Sequence, residues 1–270
     1  GTYQGKLLIN KVLTQGDSAL VAQVMSTQHQ AIPTTANERE VAQFFEQSTF
    51  VSAAVVDENN YLLGRIKMDD VIYILRAEAD HALMARAGLN EEEDLFAPVI
   101  NSAKRRTVWL AINLMTAFLA AWVIGMFAET LEKIVALAVL MPIVASMGGI
   151  AGSQTLTLTI RGLALDQITS GNSNWLARKE VIIGFINGLI WALIVAGIAW
   201  LWFREIGISL VIGIAIIINL IAAATAGIAI PLILKRLGID PALSGAVILT
   251  TVTDVVGFLS FLGLATRFLI

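Results

Sequence analysis

The sequence predicts an α-helical membrane protein: five transmembrane helices preceded by a cytosolic α+β module and a connecting helix. Three observations carry this. First, 57% of the 270 residues are hydrophobic and only 14% are charged, against about 25% charged in a soluble domain; mean hydropathy is +0.76. Second, charge is unevenly placed: residues 1–106 hold 10 Lys+Arg and 14 Asp+Glu, whereas residues 107–270 hold 8 and 7. Third, beyond residue 106 the chain falls into five long stretches almost free of charge. There is no basic excess to suit a nucleic acid and no cysteine for a disulfide framework.

The elements follow in order. The chain opens on Gly1 and polar residues, with no signal peptide, which suggests a natural N-terminus further upstream. Residues 53–56 (AAVV) read as a short strand, closed by the turn Asp57-Glu58-Asn59-Asn60, and YLLGRI follows as a second strand. Amphipathic stretches at 38–47 and 69–78 flank them as helices. Together they make an α+β module over 1–76. Residues 77–104 are assigned to a connecting helix, acidic through Glu91–Asp94 and interrupted by Pro98. The membrane domain is 105–270.

A helix needs about 20 apolar residues to cross the hydrocarbon core. Spans are expected at about 107–128, 134–160, 180–203, 206–234 and 242–267. Trp109, Trp122, Trp175, Trp200 and Trp202 sit near the span ends, where amphipathic rings prefer the interface. With the N-terminus inside, the inner flanks carry Lys104, Arg105, Arg106, Arg161, Arg178, Lys179, Lys235 and Arg236, against Lys133, Arg204 and Arg267 outside. That bias predicts a multi-pass protein with its N-terminus cytoplasmic and its C-terminus outside.

Asp254 is the one ionisable residue deep within a span, at the midpoint of the fifth. A carboxylate facing lipid there is expensive. It either lines a water-filled path or is a protonated group hydrogen-bonded to another helix. Val247, Thr250, Gly257 and Phe261 share its face at helical spacing. Both histidines, His29 and His81, precede the spans and there is no cysteine. Ligands in the spans are therefore oxygen, which suits a hard cation such as Mg2+. The second span holds Pro142, Gly148, Gly149 and Gly152 among Ser146, Ser153, Gln154, Thr155, Thr157 and Thr159. These either pack helices closely or line a pore; the expected lining is Pro142, Ser146, Gly149, Ser153 and Thr157. Asn113, Asn187 and Asn219 read as packing bonds. Asp69, Asp70, Glu78, Asp80 and Asp240 could be bridged by cytoplasmic Mg2+ or form a solvated acidic face; Glu91–Asp94 reads as the latter. No intramembrane His and no second deep Asp supports a membrane hydrolase, so no enzymatic activity is expected.

The stretch VAQVMSTQHQAIPTTANEREVAQFFEQSTFVSAAVVDENNYLLGRIKMDDVIYIL resembles a CBS domain, and residues 1–13 resemble the end of a preceding one. In the membrane part, LMPIVASMGGIAGSQTLTLTIRGLA, LKRLGIDPALSGAV and TVTDVVGFLSFLGLA resemble the MgtE family of magnesium channels, with the soluble module, connector and five spans in the same order. The chain departs from the family pattern at Ile150, Ala246 and His81-Ala82. The resemblance implies a homodimeric Mg2+ channel with pore ligands Asp254 and Thr250. It also implies closure by cytosolic Mg2+ at the acids named above, acting through the CBS module and connector. A secondary transporter of Mg2+, Co2+ or Mn2+ coupled to H+ or Na+ is the other reading. Adenosine-binding CBS modules carry a hydroxyl where the register Gly64 to Asp70 places Lys67, so nucleotide binding is not expected.

Overall fold

A computed structural model describes every residue except 17, 28–30, 49, 87, 90–95, 97, 166 and 170. The chain divides into two compact units, Gly1–Ala82 and Leu83–Ile270.

The first unit is built on a three-stranded sheet. Strand β1 (Ile32–Pro33) pairs parallel with β2 (Ser52–Val56), which pairs antiparallel with β3 (Leu62–Lys67). The 57–60 turn forms because Asp57 Oδ1 accepts from the backbone N–H of Asn59 and Tyr61, at 2.9 and 2.7 Å. Asn60 takes a φ of 60°, which a short polar side chain tolerates. Two short helices, α1 (Ile9–Thr14) and α2 (Val21–Val24), precede the sheet. Helix α3 (Glu38–Glu46) starts at a capping box: Asn37 Oδ1 accepts from Glu40 N–H, and Glu40 Oε2 accepts from Asn37 N–H. Its Val41 and Phe45, one turn apart, join Ile32, Ala53 and Val71 in a small apolar core.

Helix α4 (Met68–Arg86) follows β3 directly. It runs unbroken through residue 77, so the expected connector begins inside a helix rather than at the start of one. The acidic run Glu91–Asp94 and His29 lie outside the described residues, as do the side chains of Glu78, His81 and Ala82.

In the second unit, five helices are long and apolar enough to cross a membrane: α5 (Val99–Gly125), α7 (Ala136–Ala164), α8 (Ser173–Phe203), α9 (Ile206–Arg236) and α10 (Pro241–Leu269). This is a multi-pass membrane protein. A short helix, α6 (Ala128–Lys133), links α5 to α7. α5 and α8 begin earlier than the apolar stretches do, because backbone hydrogen bonds continue through the polar turns at Lys104–Arg106 and Arg178–Glu180. Hydropathy marks only the part immersed in lipid. Trp109 consequently falls within α5, half-buried, instead of at a helix end. Trp122, Trp175, Trp200 and Trp202 are exposed near helix ends as expected.

Helix α9 is the centre. Its most apolar window is 56% buried, against 11% for α5; α7, α8 and α10 all pack on it, and α10 also meets α7 and α5. Lipid is as apolar as leucine, so helices associate here through close packing. On α8 the buried residues Glu180, Gly184, Gly188, Ala192, Val195 and Ala199 form one stripe at helical spacing. A Cβ on Gly184 would lie 2.8 Å from Ala224 Cβ and 2.9 Å from Leu220 O, both on α9. The reversal between α8 and α9 takes only Arg204 and Glu205; Arg204 adopts a φ of 58°, with its guanidinium 5.4 Å from the Trp200 ring centre.

Gly184→Leu should therefore wedge α8 from α9 and cost about 1–3 kcal/mol, read as a lower thermal midpoint in detergent. Gly197→Leu is the control, since a Cβ there meets nothing within 4 Å, and it should leave the midpoint unchanged.

Candidate functional site

Helices α7 and α10 share a seam built on small residues. A Cβ on Gly152 would lie 2.8 Å from Leu249 Cδ1, and one on Gly245 would lie 3.1 Å from Leu156 Cδ1. Next to the seam each helix shows an uncovered stripe. On α7, Pro142, Ser146 and Ser153 are exposed, and Gly149 and Thr157 are half-buried. Their steps of three and four residues place all five on one face. Val144, Gly148, Gly152, Thr155 and Thr159, on the other side of the helix, are buried. On α10, Thr250 is exposed, while Val247 and Asp254 are half-buried. A polar stripe left open on a membrane helix needs water or a partner rather than lipid.

The chemistry of this face is oxygen. Thr250 and Thr251 both donate their hydroxyl hydrogen to Val247 O, at 3.0 and 2.7 Å. A hydroxyl that has spent its hydrogen on the backbone still presents lone pairs to a cation or to that cation's water. Asp254 has no hydrogen-bond or ion-pair partner among the described residues. Among those residues, no three His, Cys, Asp or Glu side chains group as a metal centre. One chain therefore offers a single carboxylate flanked by hydroxyls, an arrangement suited to an ion that keeps much of its hydration.

Two residues expected beside Asp254 turn inward. Phe261 is fully buried in the helix core. Gly257 faces α9, where a Cβ would lie 2.8 Å from Asn219 Nδ2. The helical offsets are right, but neighbours cover that face over only part of its length: it is open at Thr250 and closed against Asn219 two turns further on, at Gly257.

Of the three span asparagines, Asn219 makes the expected packing bond: its Nδ2 donates to Val144 O of α7 at 2.8 Å. Asn113 and Asn187 are exposed. Sequence reasoning missed Glu180, which it took as the charged edge of a span. Glu180 is only 7% exposed, and its Oε2 accepts from Thr155 Oγ1 at 3.2 Å. The available signal was the small-residue stripe of α8: stepping back four residues from Gly184 lands on Glu180.

The acids proposed for regulation are dispersed in role. Asp70 Oδ2 accepts from Lys67 N–H at 2.9 Å at the start of α4, while Asp69 and Asp80 are exposed. Asp240 caps α10, its Oδ1 accepting from Ala242 N–H at 2.9 Å, with Pro241 in the first turn.

Residues 141–264 match the family model MgtE, described as a divalent cation transporter. "Magnesium transporter MgtE" of Bacillus subtilis is 30% identical over 233 residues, 86% of this chain and 52% of that protein. The proteins of the same name from Enterococcus faecalis and Thermus thermophilus are 26% and 28% identical, each over 98% of this chain and over 58% and 59% of their own lengths. The chain thus spans between 52% and 59% of the length of these relatives.

With no native cysteine, single-cysteine variants can read the two faces of α7 directly. Ser146→Cys and Ser153→Cys should react with a charged, membrane-impermeant thiol reagent about tenfold or more faster than Thr155→Cys and Thr159→Cys, because only a hydrated thiolate is reactive. Equal rates on both faces would contradict an open polar stripe.

Proposed function

The chain belongs to the MgtE family, and from that premise we propose that it conducts Mg2+ passively across the cell inner (plasma) membrane as a homodimer. The observation that carries the reading is the placement of Asp254: a lone mid-span carboxylate on α10, the helix that packs on α7 and its open polar stripe. Two such carboxylates, one from each protomer, can neutralise one divalent cation. Mg2+ sheds water reluctantly, so Asp254 and Thr250 would hold its hydration shell while Pro142, Ser146, Gly149, Ser153 and Thr157 line the approach. Val247 borders the same face. Gly257 closes the same face against Asn219 one turn beyond Asp254. Conduction is driven by the membrane potential, about 2.3 kcal/mol per charge per 100 mV. The reading involves no enzymatic step and no bound nucleotide.

The excess of Lys and Arg at one set of helix ends supports an N-terminus in the cytoplasm and a C-terminus outside. Residues 1–76 then form a cytosolic CBS module, and 77–104 connect it to the membrane domain. Mg2+ bound by Asp69, Asp70, Glu78, Asp80 and Asp240 would favour the closed state through its higher affinity for that state. Coupled transport with H+ or Na+ is the second reading, favoured by the ability of a single half-buried carboxylate to carry a proton. Mg2+ uptake into proteoliposomes separates the two: a channel runs down the Mg2+ gradient alone, while a coupled carrier stops when the second gradient is collapsed.

In the same assay, Asp254→Asn should cut Mg2+ flux about tenfold or more, since a unit charge about 4 Å from another contributes about 4 kcal/mol in a surface-like dielectric. Wild-type flux through Asp254→Asn would remove the electrostatic argument. Asp240→Asn keeps the α10 cap, because Asn caps as well as Asp, and deletes only the charge. Inhibition by cytoplasmic Mg2+ should then move to higher concentration, within the roughly 5- to 150-fold range of allosteric couplings, with flux at low Mg2+ unchanged. An unmoved inhibition curve would take Asp240 out of the sensor.

A further inference from the structure

Asn219 sits midway along α9, the most buried helix, and is 0% exposed. Its Nδ2 donates to Val144 O on α7 at 2.8 Å. Its Oδ1 has no hydrogen-bond partner among the described residues. Two glycines admit the amide, one from each helix of the open face. A Cβ on Gly148 of α7 would lie 2.8 Å from Asn219 Cγ, and a Cβ on Gly257 of α10 would lie 2.8 Å from its Nδ2. One side chain is therefore held by both α7 and α10 from behind.

The neighbours of these contacts are the residues of the open face. Val144 lies two residues before and after the exposed Ser146 and Pro142, and Gly148 adjoins Gly149. Gly257 is one turn from Asp254. Leucine at 219 would keep the branched shape and leave no unpaired acceptor on the side chain, in a helix made mostly of Ile, Leu, Ala and Gly. A polar group kept in an apolar core despite an unsatisfied acceptor fits a role in fixing one register among several packings of equal stability.

We propose that Asn219 is a positioning residue for ion selection: clamped between Gly148 and Gly257, it fixes the spacing and register of α7 against α10, and with them the width available to the cation at Asp254. The proposal rests on reading that face as the conduction path. Mg2+ binds oxygen at about 2.0–2.1 Å and Ca2+ at about 2.3–2.6 Å, so a slip of the two helices changes discrimination between them before it abolishes flux.

The test uses the full chain in proteoliposomes, with Mg2+ and Ca2+ influx measured separately and normalised to reconstituted dimer. Asn219→Leu should lower the Mg2+:Ca2+ flux ratio about 2- to 30-fold, the range seen for residues that act through packing. Gly257→Ala presses on the same amide from α10 and should lower the ratio as well; adding Asn219→Ala makes room and should restore it. This second pair keeps the proposal testable if Asn219→Leu fails to assemble. Ratios equal to wild type in every conducting variant, with total flux merely reduced, would make Asn219 a packing residue only and overturn the proposal while leaving the conduction path standing. A wild-type protein that passes neither ion would overturn the conduction reading itself, and this inference with it.

Discussion

Close approach of backbones at small residues is the constraint on which the membrane unit depends. Within lipid, apolar surface gains little by leaving its solvent, so helices are held by van der Waals contact and by the few hydrogen bonds they can share. α9 supplies the surface for this. Gly227 brings it within reach of Thr155 and the Gly152 carbonyl of α7, and Gly184 brings α8 onto Leu220 and Ala224. Larger side chains at these positions would separate the helices and forfeit the contacts. The apolar character that drives insertion and the small-residue pattern that drives assembly are thus two different properties of the same helices.

From that central packing the open face follows. α7 spends one stripe, Val144 through Thr159, on α9 and α10. The opposite stripe is more open among the described residues, and it is the one that carries the exposed Pro142, Ser146 and Ser153. On α10 the same face is open at Thr250 and closed at Gly257, so the half-buried Asp254 stands between the two. Polar groups inside the packing are treated differently. Glu180 meets Thr155, and Thr130 shares a hydrogen bond of 2.7 Å with Thr266. These buried groups are tied to a neighbouring helix, while Asp254 is left available.

The acids outside the membrane show why residue type alone overstates function. Asp70 and Asp240 each accept a backbone N–H at a helix start. A carboxylate there satisfies an orphan donor and opposes the helix dipole. Such a residue can serve the fold and a regulatory ion together, because a carboxylate has more acceptor positions than one cap uses. Glu129, on α6, shows the simpler case: the Lys133 ammonium beside it holds its carboxyl below the usual range, as an ordinary exposed pair four residues apart.

Length and charge spacing alone determined that this chain crosses a membrane five times, because about 20 uncharged apolar residues have no other stable home. Turn chemistry likewise made the reversal between β2 and β3 legible, since Asp57 acts on backbone within four residues of itself. Asp254 was legible because an acid at mid-span is anomalous on composition. Helical period put Val247, Thr250 and Gly257 on its face, but period cannot say how much of that face's length a neighbour covers. Only the packing of α10 decided that the face is closed by Asn219 at Gly257 and open at Thr250. Glu180 escaped for the same reason: a charge at the end of an apolar stretch reads as the edge of the membrane until a second helix is laid over it.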